Sequence, residues 1–378
     1  MFVDYVLNGE SHGEVGEQLS SCRYDPGLLR PYIDKDGRKY VTANVGTDPS
    51  GKIIYKKRLV QDMIANGVNI PVANATSLRK EEWIELDRQV LKCARERLRA
   101  WTDLSAAASF GGFNAMSKMI LEHETMSDPG EAIVDMDALT PGRTTAPVFQ
   151  LEGLPLPITH SDFWFSSRRL AVSRNSNTPL DTTMGEAAGR RVAEQIEKTL
   201  IGTVAGVTYG VAASYSNAPT VFGYATHPDR LLKTNLTTPT GSNPASTVDD
   251  VLAMRSQLYG AKYYGPYMLY HSTDWDRWLD EDYYITSGTP SQTLRSRLRA
   301  IEGITDVRRL DFLTSTYTML MVQMTSDVAR AINGMDITTV QWETSGGMRV
   351  NFKVMCIMVP QIRSDYNGNT GILHATTA

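Results

Sequence analysis

Pro179–Thr203 reads PLDTTMGEAAGRRVAEQIEKTLIGT, and its rhythm is the clearest structural signal in the chain. Met184, Ala188, Val192, Ile196 and Leu200 recur every four residues, so they share one face of an α-helix. Thr183 and Glu186 have the spacing of a capping box, which predicts the helix start. Gly202 is the residue type that helices use to stop. Gly185, Ala187, Ala188 and Gly189 are small enough to let another backbone pack closely near that start. Glu197 lies off the apolar row and is expected to tolerate replacement.

Upstream of this helix the pattern is extended. Glu131–Asp137 and Thr144–Leu151 read as strands on either side of Thr140-Pro141-Gly142-Arg143, where Pro then Gly fits a type II turn. Pro147, Pro155 and Pro157 remove ladder donors, so a hairpin over Pro129–Pro157 cannot lie in the middle of a sheet and should project. Further back, Ser77–Trp101 predicts a second amphipathic helix, with Ser77 as N-cap and Trp83, Leu86, Val90, Ala94 and Leu98 on one face. Residues 1–75 are dense in turn signals such as Asn8-Gly9, Asp25-Pro26-Gly27 and Asp36-Gly37, with short apolar patches at Ile53–Tyr55 and Val68–Val72. They read as an extended arm that docks on something else.

Downstream, a Gly/Ala/Ser-rich loop (Gly202–Ala218) and a polar linker (Thr234–Ser246) lead into an α/β rhythm. A helix over Thr247–Gly260 precedes a strand at Pro266–His271, a capped helix from Thr273, a loop at Tyr283–Pro290 and a helix over Ser291–Glu302. Strands follow at Asp306–Leu310 and Thr318–Gln323, and Arg349–Val359 alternates Val350, Phe352, Val354, Cys356 and Met358 as a strand entering a buried sheet.

Composition narrows the function. The 378 residues are 42% hydrophobic and 21% charged with a formal net charge of −4, an ordinary globular balance that argues against nucleic-acid binding by charge neutralisation. The N-terminal lysines and Arg58 are interleaved with Asp4, Glu10, Glu14, Glu17, Asp34 and Asp36, so there is no basic arm. Cys22, Cys93 and Cys356 are scattered and form no CxxC, so neither a disulfide framework nor a zinc site is expected. No charged-then-apolar leader follows Met1, and no run approaches membrane-spanning length. Walker, GxSxG, GxGxxG and HExxH motifs are absent. His271-Ser272-Thr273-Asp274 follows a strand and opens a helix, but these are also capping residues. His160-Ser161-Asp162 lacks a third ligand and reads as a surface turn, and His12 with Glu14 is weaker still. Tyr263, Tyr264, Tyr267, Tyr270, Trp275 and Trp278 lack the interleaved basic residues of a base-stacking platform and read as core and subunit contact. The reading therefore predicts no catalytic, cofactor or metal residues.

The order of elements, and four passages within it, resemble the HK-ninety-seven-like capsid fold of tailed bacteriophages, which bacterial encapsulins share. LPLPITHSDFWFSSRRLAVSRNSNTPLDTTMGEAAGRRVAEQIEKTLIGT (Leu154–Thr203) resembles the encapsulin passage from extended loop into spine helix, notably at Leu180-Asp181 and Val192-Ala193-Glu194. GPYMLYHSTDWDRWL (Gly265–Leu279) resembles the Gly-Pro-Tyr strand and aromatic helix of their apical domain. The helix containing Glu82-Trp83 and Leu86-Asp87 resembles their N-terminal helix, and the Arg349–Val359 strand their last sheet strand.

The resemblance implies an α+β fold with an N-terminal arm (1–75), a peripheral domain (76–128 and 159–246, spine helix 180–202), an extended loop (129–158), an axial domain (247–345), and a closing strand with C-terminal tail (346–378). It places Tyr283–Pro290 at the capsomer centre. It implies a major capsid protein that builds an icosahedral shell of pentamers and hexamers around double-stranded DNA. Such a subunit is no enzyme, needs no cofactor and meets a portal, a scaffold or cementing protein, and DNA only weakly. It is assembled in the bacterial cytoplasm and resides in the virion. The alternatives are an encapsulin-type compartment shell and, from another class, a metal-assisted hydrolase around His271 and Asp274. Some capsids of this fold join a loop lysine to a neighbour's asparagine. Here no lysine occurs between Lys118 and Lys198, so overlap without covalent links is expected.

Overall fold

The computed structural model describes residues 25–47, 53–68, 70, 78–113, 115–127, 134, 136–137, 146, 148–175, 182–209, 218–240, 244–286, 289–344 and 346–377. Asp25 caps a 3₁₀ turn at Pro26–Leu29, accepting from Gly27 N–H at 3.0 Å and from Asn44 N–H at 2.6 Å. Strands β1 (Tyr32–Ile33), β2 (Lys39–Thr47), β3 (Ile53–Leu59) and β4 (Leu78–Arg79) make a four-stranded sheet in the order β3-β2-β1-β4. Helix α1 (Val60–Ala65) contributes Val60 to a small core with Leu28, Val41, Ala43 and Ile70.

The segment expected to be an extended arm is therefore folded where it is described, and it is tied to the main body. The Trp83 indole N–H donates to the Pro31 carbonyl at 3.2 Å, and the Arg30 guanidinium lies 4.5 Å from the Trp83 ring and pairs with Asp87. Sequence periodicity missed the sheet because β2 turns only Val41 and Ala43 into the small core, too short an alternation to stand out. Residues 1–24 lie outside the described residues.

Two helices, α2 (Lys80–Arg97) and α3 (Arg99–Ala107), replace the single one expected over Ser77–Trp101. Ser77 is outside the described residues; Glu82 accepts from the Arg79 N–H at 2.7 Å and caps the start instead. The predicted face of α2 is buried throughout, Trp83, Leu86, Val90 and Ala94 included.

After β5 (Ser109–Gly111), β6 (Ile120–Met126) and β7 (Phe149–Pro155) pair antiparallel as a ribbon, with Ile120 opposite Pro155 and Met126 opposite Phe149. The hairpin thus starts well before Glu131, and most of the strand expected over Glu131–Asp137 lies outside the described residues. β8 (Thr159–Ser166) and α4 (Ser167–Asn175) lead to α5 (Thr183–Ile201), the helix that opened the reading. His160-Ser161-Asp162, expected as a turn, lies within β8.

The buried face of α5 is two rows wide. Ala188, Val192, Ile196 and Leu200 form one row; Gly185, Gly189, Ala193, Glu197 and Ile201 form the second. Met184, expected in the first row, is exposed. The cap is Thr182, one residue earlier than expected: its carbonyl accepts from the Glu186 N–H at 3.0 Å and its hydroxyl donates to Glu186 Oε1 at 3.2 Å. Gly202 ends the helix at φ 93°, a left-handed conformation that suits glycine. Against α2, a Cβ on Gly189 would stand 2.9 Å from the Val90 carbonyl oxygen.

The rest of the chain forms β9 (Leu231–Lys233), α6 (Pro244–Gly260), β10 (Tyr267–His271), α7 (Asp276–Leu279), β11 (Asp282–Thr286), β12 (Thr289–Thr293), α8 (Leu294–Arg299) and β13 (Ile304–Arg309). It closes with β14 (Met319–Gln323), β15 (Ala329–Thr344), β16 (Arg349–Ile362) and β17 (Ile372–Ala375). Tyr283–Pro290, expected as a loop, belongs to the β11–β12 hairpin.

Two sheets organise the body. In the order β5-β15-β16-β8, one lays Phe163, Phe165, Val350, Phe352 and Val354 against α2 and α5. The other, β13-β10-β14-β17-β9, packs with α6, α7 and α8 around Trp275, Leu269 and Met321. Residues 329–344, expected in the α/β lobe, are β15 of the first sheet. Residues 372–375, expected in a tail, enter the second sheet between β14 and β9. β17 pairs with β9 and β15 with β5, partners far upstream that leave no local trace. Among the described residues no helix is long and apolar enough to cross a membrane.

Candidate assembly surface

The β6–β7 ribbon has two chemically different faces. On one, Leu121, His123, Glu152 and Leu154 turn towards the body, with Leu154 buried and His123 3.1 Å from Glu152 across the pair. On the other, Glu122, Glu124 and Met126 alternate along β6, with Phe149 opposite Met126, and all four are exposed. Val134, Met136 and Val148 are exposed as well. This much uncovered apolar surface on a projecting ribbon is unusual for a chain that works alone.

At the ribbon's base lies a groove of 480 Å³ against the outer face of the first sheet. Met119, Ile158, Val207 and Tyr209 line it, as do Lys118, His160 and Lys353. Along the same sheet face Arg349 stacks on the exposed Trp164 ring at 4.5 Å, and Lys353 lies 5.5 Å from Trp342. A second groove, of 590 Å³, lies between the N-terminal sheet and α2, with Tyr32, Tyr55, Trp83 and Ile84 in its wall.

The residues weighed for chemistry separate. His271 is fully buried with Nδ1 3.0 Å from the Ser272 carbonyl, and burial lowers its pKa, which favours the neutral ring. Asp274 is exposed; the carboxylate near His271 is Asp276, at 3.9 Å, and Arg295 and Arg309 hold it at 2.9 and 2.7 Å. This is an ion-pair lattice bracing α7, α8 and the end of β13. His160 Nδ1 lies 3.3 Å from Asp162 on the exposed side of β8. His12, Glu14 and Cys22 are outside the described residues. Cys356 is buried, which pushes its thiol up to about 12. Tyr267, Tyr270 and Trp275 are fully buried, and Tyr264 is exposed. Among the described residues no three His, Cys, Asp or Glu side chains are grouped to hold a metal ion.

A polar seam where the two cores meet escaped the sequence reading. Glu197, only 2% exposed, accepts from the Trp101 N–H at 3.0 Å and so caps α3 from the side of α5. Burial pushes its carboxyl up to about 7, against the hydrogen bonds that hold it down. Beside it, Tyr270 donates to Asp103 at 3.0 Å, Arg308 pairs with Asp103, and the Tyr224 and Tyr270 rings stack with centroids 6.4 Å apart. The available signal was the second i, i+4 row, in which Glu197 stands between Ala193 and Ile201.

A family model described as a family of unknown function, DUF6260, matches residues 73–375. No curated protein matches the chain. Among solved structures, the fold is similar to a virus-like particle from Pyrococcus furiosus, with TM-score 0.52 and 14% identity over 78% of this chain and 98% of that one. It is likewise similar to the capsid of Myoviridae phage XM1, with TM-score 0.52 and 10% identity over 73% of this chain and 91% of that one. The capsid of a native GTA particle gives TM-score 0.51 and 12% identity over 74% and 91%. The fold is the HK-ninety-seven-like capsid fold, as the sequence resemblance implied.

Proposed function

The chain belongs to DUF6260, and we propose that it is a major capsid protein whose copies close into an icosahedral shell. The observation that carries this reading is the capsid fold together with a ribbon on whose outer face Met126 and Phe149 stand exposed among the described residues. Such a face gains burial only on a neighbour, at roughly 25 cal/mol per Å² of apolar area. The role is mechanical, with no reaction to perform.

The N-terminal segment 1–75 and the loop 129–158 overlap neighbouring copies. The body built around the first sheet, β15 and β16 included, with α2 and α5 forms the peripheral domain, and residues 244–323 with β9 and β17 form the axial domain, with the β11–β12 hairpin at the capsomer centre. The shell surrounds double-stranded DNA that it touches weakly, and it works with a portal and a scaffold or cementing protein. Assembly takes place in the host cytoplasm, and the virion is the final location. The sequence resemblance in Leu154–Thr203 and Gly265–Leu279 supports a second reading, an encapsulin-type compartment. Neighbouring genes separate the two: terminase and portal for a phage, a cargo protein with a docking tail for a compartment.

The test is negative-stain microscopy of the purified full chain. Closed shells of uniform diameter are expected; a chain that stays monomeric or dimeric at high concentration would remove the reading.

A further inference from the structure

The start of α3 reaches both halves of the molecule. Arg99 lies 3.8 Å from Asp311, just past β13. The Trp101 N–H donates to Glu197 of α5 at 3.0 Å. Asp103 accepts from Tyr270 of β10 at 3.0 Å and pairs with Arg308 of β13. These residues therefore tie α5, which lies against the first sheet, to the edge of the second. Each tie is polar and each ends on a carboxyl, so its strength depends on where the charges sit.

The tie to α5 is the one whose carboxyl is buried. Asp103 on α3, Tyr224 after α5 and Tyr270 on β10 lie near Glu197, and Arg308 reaches the seam at Asp103. Arg308 is shared with Asp306 at 2.9 Å, Arg99 is paired with Asp311, and Arg97 at the end of α2 lies 3.9 Å from Glu194. Lys198, next to Glu197 along α5, sits 5.2 Å from the Phe312 ring. A charge on Glu197 would thus meet the like charge of Asp103, while these three arginines already have carboxylates of their own. The Tyr224 hydroxyl is fully buried and has no hydrogen-bond partner among the described residues, so the closed seam is held at less than its full strength.

We infer that this seam is a charge-operated fastening: with Glu197 protonated, α3 holds the second sheet against α5, and with Glu197 charged that hold loosens and the two sheets turn more freely against each other. Opening the seam gives the carboxyl water, and there it ionises as an ordinary glutamate near 4.5; the closed seam raises it to about 7 by burial. Between those two values every rise in pH moves the population towards the open seam, and above them the effect is constant. The fastening lies within one chain, so its failure would leave the shell reading intact, and the failure of that reading would leave the fastening.

The distance between the two halves tests it. Spin labels at Arg191→Cys on α5 and Ser296→Cys on α8, both exposed positions, with Cys22→Ser and Cys93→Ser to remove competing thiols, report that distance in the dilute, unassembled full chain by double electron–electron resonance. The fraction outside the main distance should rise roughly ten-fold or more from pH 5 to pH 8. Glu197→Gln should show the parental pH 5 distribution at both pH values. Glu197→Met, uncharged and of similar size, gives the same comparison where the glutamine variant does not fold. Parental distances that do not change with pH, or a change of equal size in an uncharged variant, would overturn the fastening.

Discussion

Glu197 is a carboxyl held in a place that disfavours its charge. Asp103, Tyr224 and Tyr270 lie near it, and the Arg308 guanidinium pairs with Asp103. An ordinary glutamate titrates near 4.5, and here burial raises the value to about 7. Between those values the folded chain holds a proton that the unfolded chain has released, so stability falls as pH rises through that window and levels off above it. At pH 8 the loss is on the order of 3 kcal/mol relative to acid. Glu197→Gln keeps an acceptor for the Trp101 N–H and carries no charge. Urea melts of the unassembled chain at pH 5 and pH 8 should therefore differ less for E197Q than for the parent by about that amount. An unchanged pH difference would mean that Glu197 is not the group that titrates. The residue was legible as helical but not as buried, because a lone glutamate in a helix ordinarily faces water.

At the scale of elements, α2 and α5 meet along Gly185 and Gly189, which face Leu86 and Val90. The absence of side chains there lets the backbone of one helix touch the other. Gly189→Val should force the pair apart and cost about 1–3 kcal/mol by overpacking. Arg191→Ala, on the exposed side of α5, should stay within about 0.5 kcal/mol. Chemical denaturation of both variants checks this, and equal midpoints would show that the close approach is not there. Small residues at 185 and 189 announced this contact in the sequence. β6 gave no such notice. Its Glu122 and Glu124 point to water and His123 takes a half-buried inner position, so its apolar content is too low to read as a strand.

For the whole molecule, the position of an N-terminal cut should decide whether the chain survives. A chain starting at Ala75 loses Tyr32 from the main core and the Pro31 carbonyl that pairs with Trp83, leaving Leu78 and Trp83 uncovered. A chain starting at Asp25 keeps these contacts. The shorter chain should melt several degrees lower or precipitate, and the longer one should melt like the parent, as read by circular dichroism. Equal melting of all three would mean that the N-terminal sheet is only loosely attached.

Sequence by itself determined α2, α5, the β16 alternation and the capsid resemblance, because helix faces, caps and the period of a buried strand are written in neighbouring residues. Only the tertiary structure decided that β17 joins the second sheet beside β9, that strands β1 to β4 form a sheet packed on α2, and that Glu197 caps α3. Each of these depends on groups that meet across long stretches of chain, 96 residues in the case of Trp101 and Glu197, and local pattern carries no record of such partners.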